Sequence, residues 1–182
     1  MRTPTAPSAP DAVIASVAEL LAHALELEYA SQAHYEQLAD SMAVHHNPEV
    51  ASLFQRLAAL SGEHAAEVAA RAVDLTLPRI PPWAFKWQCP DAPEGADCLD
   101  PAVSYRMTTV EAVAVALHNE RRGHAYYLYV AASATDAEAR TLAAAMAAEE
   151  AEHVALLEAM LAATGAPQPA EPEDLDPPHM PA

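Results

Sequence analysis

Near the end of a long Ala-rich stretch the chain reads Glu149-Glu150-Ala151-Glu152-His153. Glu150 and His153 are three residues apart, so on a helix their side chains leave the same face, one nearly above the other. That face is otherwise apolar: Leu142, Met146, Leu157 and Met160 recur around the pair at intervals of three and four. Glu149 and Glu152 fall on the solvated side. An unpaired carboxylate or imidazole inside a buried stripe costs several kcal/mol. A metal ion is the partner that suits both groups at once, and the chain offers further ligands for it.

Three other segments place a ligand-type residue in an apolar row. Glu28 stands in the stripe Ile14, Val17, Leu21, Leu25, Tyr35, Leu38 and Met42. His64 stands in the stripe Val50, Leu53, Phe54, Leu57, Ser61 and Val68. Glu120 and His124 stand with Val110, Val113, Leu117, Tyr127 and Ala131. A buried ion pair with Arg56, Arg121 or Arg122 is the competing use for Glu28 and Glu120.

The elements that carry these residues follow from periodicity and punctuation. With 182 residues, 52% hydrophobic and only 4 Gly, the chain suits one all-α domain. Asp11 is placed to cap a first helix running to about His45. His46-Asn47-Pro48 reads as a stop and restart, with Asn47 as cap and Pro48 at the first helical position. The second helix then runs to about Val73, and its short link to the first makes the pair antiparallel. Pro78, Pro81, Pro82, Pro90, Pro93 and Pro101 forbid a continuous helix over residues 74–107, a crossover to which Trp83, Phe85, Trp87 and Tyr105 give something to bury. Thr108-x-x-Glu111 and Thr135-x-x-Glu138 are capping-box patterns opening the third and fourth helices, the last ending at Gly165. The expected organisation is a loose tail over 1–10, an antiparallel four-helix bundle over 11–165, and an acidic, Pro-rich tail over 166–182.

A formal charge of −17 argues against nucleic acid and anionic membrane as partners and would concentrate cations. No apolar run is long enough to cross a bilayer and no signal core is visible, so a soluble, cytoplasmic protein is expected. Cys89 and Cys98 make neither a C-x-x-C metal site nor a disulfide framework, and free thiols are the expected state.

The two halves overlay. Glu28 precedes Tyr35 by seven residues and Glu120 precedes Tyr127 by seven. Setting His64 on His153 aligns Glu49 with Glu138, Leu53 with Leu142 and Ala58 with Ala147. Each half is then a helical hairpin with a carboxylate on its first helix and a histidine on its second. Packed stripes inward, the hairpins bring Glu28, His64, Glu120, Glu150 and His153 into one layer, the pattern of a carboxylate-bridged two-metal site. The overlay fails at one place: Glu150 falls on Ser61.

On Glu28 with Tyr35, His64, Glu120 with Tyr127, and Glu150-x-x-His153, the sequence resembles the rubrerythrin-related branch of the ferritin-like superfamily over roughly residues 12–163. The resemblance implies a ferritin-like bundle, commonly a homodimer, holding two iron ions that react with dioxygen or hydrogen peroxide. Carried over by position, Glu28 and His64 would hold one ion, Glu120 and His153 the other, with Glu150 bridging and Tyr35 and Tyr127 beside the ligands. The chain departs from the family in three ways. Ser61 replaces the second bridging carboxylate, the family's extra acid on the third helix falls at Gly123, and a rubredoxin-like domain is absent. An external electron donor would therefore be needed.

Ser61 has an electrostatic consequence. Two divalent ions carry four positive charges and three carboxylates return three, so either hydroxide, a small anion or a nearby acid such as Glu67 supplies the remainder, or one of the two positions binds weakly. His124, four residues after Glu120, would add a nitrogen ligand. The alternative to redox chemistry is a metal-binding or partner-binding bundle whose reduced ligand set holds zinc, manganese or a single ion.

Overall fold

The computed structural model describes residues 13–81, 84–86 and 104–164. Four helices make up these residues: α1 (Val17–Val44), α2 (Pro48–Arg71), α3 (Thr109–Ser133) and α4 (Ala137–Ala163). They pack as two antiparallel hairpins, α1 with α2 and α3 with α4, giving the expected all-α four-helix bundle. Cys89 and Cys98, the tails, Trp83, Trp87 and most of the crossover lie outside the described residues.

The ends of the helices show which local signals were decisive. The cap of α1 is Ser16, not Asp11; its hydroxyl accepts from the Glu19 N–H at 3.2 Å. Residues 13–15 precede the helix, yet Ile14 is fully buried. Between α1 and α2 the chain turns through His46 at φ 59°, the left-handed region, and Pro48 opens α2 as its spacing required. Asn47 occupies the cap position but caps nothing with its side chain. Its amide instead donates to the Met107 carbonyl at 2.8 Å, tying the hairpin turn to the entry of α3. α2 stops at Arg71, two residues short of the expected Val73. The Thr108–Glu111 capping box is formed in both directions. The second box is not: Asp136, one residue after Thr135, caps α4 by accepting from the N–H groups of Glu138 and Ala139. Aspartate is the stronger cap of the adjacent pair.

Two apolar clusters fill the bundle. One gathers Tyr35, Leu38, Met42, Phe54, Leu57, Leu117, Leu157 and Leu161. The other gathers Ile14, Leu20, Leu21, Val68, Tyr127, Val130, Met146 and Ala147. On every helix the residues between the two clusters are polar or small: Glu28 on α1, Ser61 and His64 on α2, Glu120 and Gly123 on α3, Glu150 and His153 on α4. Each buried Leu, Phe or Met contributes about 1.5–3 kcal/mol, so the clusters hold the polar layer in place from both sides. The expected end of the α4 stripe is off by one: Met160 is exposed and Leu161 is buried. The expected anchor Tyr105 is likewise exposed, tilted against His45 at 4.9 Å.

The short described piece of the crossover is pinned to α1. Phe85 stacks on His23 at 5.0 Å. The Lys86 N–H donates to His23 Nε2 at 3.1 Å, and the Lys86 ammonium reaches the Val13 carbonyl and Glu19, each at 2.6 Å.

Candidate metal centre

The polar layer brings together the residues that the two-hairpin overlay selects. His153 Nδ1 lies 3.3 Å from Glu120 Oε2 and 3.5 Å from Glu150 Oε2. His64 Nδ1 lies 3.8 Å from Glu28 Oε2. The two imidazoles stack across the bundle with centroids 4.6 Å apart and planes 7° from parallel. Glu28 and Glu150 are buried, while Glu120, His64 and His153 are half-buried. Within this layer Glu120, Glu150 and His153 offer three ligand atoms all within 4.8 Å of one another. Glu28 and His64 sit beside that group rather than inside it.

The site is only partly compensated by protein partners. His153 Nδ1 is buried without the alignment of a hydrogen bond to either neighbouring carboxylate. Contact with Glu120 and then Glu150 pushes its imidazole up to about 10. Burial, reinforced by the charges of Glu150 and Glu120, pushes Glu28 up to about 8. Burial likewise lifts Glu150 to about 7. Glu120 moves the other way, because its contacts with His153 and Glu150 outweigh the effect of its burial. His64 is lowered, by burial first and then by the neighbouring His153. Glu28 and His153 thus hold protons at neutral pH where a cation would serve instead, while Glu120 is ionised. The competing ion-pair explanation loses two of its candidates: Arg56 donates to Ser52 at 3.1 Å and Arg121 pairs with Glu158 at 2.8 Å.

A cavity of about 190 Å³ opens on this layer between α2 and α4. Its inner wall includes Glu28, Glu150, Tyr127 and Met146, and its outer wall includes Glu67, Arg71, Glu149 and Glu152. Arg71 spans the mouth, bonded to Glu149 at 2.7 Å. Glu67 therefore faces the cavity, while His124 is half-buried and stands outside the three-ligand group. Ser61 is buried, one helical turn before His64. At Gly123 an added Cβ would stand 3.5 Å from the Glu150 carboxyl carbon, ordinary contact, so the absent side chain leaves Glu150 room rather than relieving a clash.

The two tyrosines that mark the repeat are not equivalent. Both are fully buried. Tyr35 Oη accepts from Asn119 Nδ2 at 3.1 Å, whereas the Tyr127 hydroxyl has no hydrogen-bond partner among the described residues. Burial, above all, raises both phenols from their ordinary value. Sequence reading missed Arg71 as part of this region. Its only signal was position, three and seven residues after Val68 and His64, on the face that α2 turns toward the layer.

No family model matches the chain, and neither does any curated protein. Among solved structures, it is similar to an uncharacterized conserved protein from Magnetospirillum magnetotacticum, with 36% sequence identity and a TM-score of 0.62. The similarity covers 86% of this chain and 99% of that one. At that identity and coverage the likeness goes beyond shared architecture: the chain belongs to the same conserved family as the Magnetospirillum protein.

Proposed function

We propose that this is a rubrerythrin-like metal-binding protein that holds two iron ions in the polar layer and oxidises ferrous iron with dioxygen or hydrogen peroxide. The observation that carries the proposal is the convergence of Glu120, Glu150 and the unsatisfied His153 Nδ1 within 4.8 Å, beside Glu28 and His64. Carboxylate and imidazole donors together suit iron, and also manganese and zinc. Bound iron would supply one-electron chemistry toward the oxidant. The protein residues do the rest. Glu28 and His64 hold one position, Glu120 and His153 the other, and Glu150 lies between them. The flanking apolar clusters limit water, and the cavity between α2 and α4 admits ions and oxidant. The same reading assigns the protein to iron handling or oxidative-stress defence, working as a homodimer in the cytoplasm with an external electron donor.

A second reading rests on a specific observation: three ligand atoms converge rather than five, and Ser61 stands where a bridging acid would be. It makes the protein a binding module for one zinc or manganese ion. Metal analysis of protein from iron-replete cells, with absorbance recorded during aerobic addition of ferrous iron, separates the two. About two irons per chain and a near-ultraviolet oxo-bridged ferric band support the oxidase. One zinc or manganese, with no colour on adding iron, supports the binding module and rejects the oxidase.

A further inference from the structure

The cavity between α2 and α4 is lined by the carboxylates of Glu28, Glu67, Glu149, Glu150 and Glu152, and Arg71 is the one arginine or lysine among the described lining residues. Its guanidinium crosses the mouth to Glu149 on α4, at 2.7 Å. A partner nearer in sequence stands ready. Glu67 lies four residues earlier on α2 and also lines the cavity, and a glutamate four residues before a basic residue is the favourable order for a pair on one helix. The contact with Glu149 first, and the charge of Glu67 after it, hold the guanidinium above its ordinary value. Arg71 thus has a carboxylate partner on each wall. The Arg71 and Glu149 side chains are 32% and 49% exposed, and a pair so exposed is worth little in water, as is a pair one helical turn apart. The two arrangements therefore differ in population by no more than about fivefold, and exposed side chains exchange rotamers within nanoseconds.

We infer that Arg71 is the gate of the metal centre: bonded to Glu149 it bars the mouth, and moved to Glu67 it opens a path for a divalent cation. The inference rests on the metal reading, since what it describes is the regulation of entry to that same site. Bridged to α4, the guanidinium fills the gap between the two helices and sets a positive charge in the path of the incoming ion. Swung back along α2, it leaves the Glu149 carboxylate free beside Glu152, and the two draw the cation inward. His64 and His153 line the same cavity, so the ion meets its ligands without leaving it. Because the exchange of partners is fast, the rate of uptake follows the fraction of time that Arg71 spends on Glu67. Neither Arg71 nor Glu149 belongs to the ligand set, so the gate sets how fast the site fills and not how much it holds.

The test mixes the full-length protein with cobalt(II) in stopped flow and follows the visible cobalt bands. At about 1 M salt the Debye length is about 3 Å, which screens long-range attraction while a contact pair persists. Glu149→Gln frees Arg71 for Glu67 and should speed uptake about threefold; Glu67→Gln holds Arg71 on Glu149 and should slow it about threefold. Opposite signs are the signature. Each change removes one negative charge from the mouth, so attraction alone would make both slower. Arg71→Met should be at least as fast as Glu149→Gln, and in that background neither glutamine should change the rate. Arg71→Met and Glu149→Gln should reach the wild-type cobalt stoichiometry and final spectrum. Uptake slowed by both glutamines, unchanged by both, or altered equally with and without Arg71 overturns the gate and leaves the metal reading standing. A protein that takes up no cobalt overturns the metal reading, and the gate with it.

Discussion

Two histidine-bearing regions of this bundle have opposite polar accounts. His23 is fully buried, and both of its ring nitrogens are engaged: Nδ1 with the Glu19 carbonyl at 2.9 Å, Nε2 with the Lys86 N–H at 3.1 Å. Those partners fix the neutral tautomer, with Nδ1 donating and Nε2 accepting. His153 is less buried, touches two carboxylates, and yet leaves Nδ1 without a hydrogen bond. His23 pins a connection to a helix; His153 stands in a layer open to a cavity. Burial alone does not distinguish a structural histidine from a ligand. What distinguishes them is whether the protein itself supplies the second partner.

The largest effect expected from this contrast is at Glu150. Glu150→Ala should abolish tight binding of two ions, lowering affinity by more than roughly a hundredfold, since even residues that only orient ligands are worth 10–100-fold. Glu149→Ala, one position along and exposed, should leave stoichiometry unchanged. Metal content after dialysis checks both; equal losses would displace the site from this layer.

Metal should also stabilise the fold. At a free concentration a hundred times the dissociation constant, binding to the folded state alone adds about 2.7 kcal/mol, a rise of roughly 5–10 °C in Tm for a domain of this size. Calorimetry with and without metal measures it, and Glu150→Ala should lose most of the increment. A wild-type Tm indifferent to iron, manganese and zinc would count against any resident ion.

His23→Leu should cost about 1–3 kcal/mol, because it orphans the Lys86 N–H, while the Glu19 carbonyl keeps the backbone N–H of residue 23 as its helical partner. It should leave metal stoichiometry intact. The pH dependence sharpens the point. Burial, the main influence, lowers the His23 imidazole from its ordinary value of 6.5, with Lys86 also opposing its protonation and Glu19 favouring it. The unfolded chain therefore binds a proton that the folded chain refuses, and as pH falls below about 6.5 the folded state loses stability until the lower folded value is passed. Urea midpoints of wild type and His23→Leu, compared between pH 8 and pH 5, should converge as pH falls. Parallel curves would mean that His23 is not held neutral.

How much of this was legible beforehand varied with the range of the interaction involved. The four helices, the hairpin pairing and the layer of Glu28, His64, Glu120, Glu150 and His153 follow from a 3.6-residue period that the fold respects on every helix. Helix starts were less secure: Ser16 and Asp136 displaced Asp11 and Thr135 because several residues in a row can cap, and packing chooses among them. What no local pattern carries is pairing between distant segments. The Arg71–Glu149 bridge links residues 78 positions apart, and the Lys86–His23 bond spans 63. The inequality of Tyr35 and Tyr127, identical in the repeat, depends on Asn119, which has no counterpart signal in the first half.

The smallest effect belongs to the polar pair that has everything His153 lacks. Arg121 and Glu158 join α3 to α4 at 2.8 Å, a better contact by distance than any within the metal layer, but both side chains are nearly half exposed. In water the Coulomb gain of such a pair is largely cancelled by the hydration it gives up and by the side-chain freedom it loses. Arg121→Ala should change stability by less than about 1 kcal/mol and should leave ion binding untouched, although Arg121 directly follows Glu120 in sequence. A urea titration in low and high salt checks it: the small difference from wild type should shrink further as salt screens the pair. A large, salt-independent loss would mean that Arg121 is tied to the Glu120 carboxylate through the helix it shares, and the boundary between the compensated surface and the uncompensated layer would have to be moved outward by one residue.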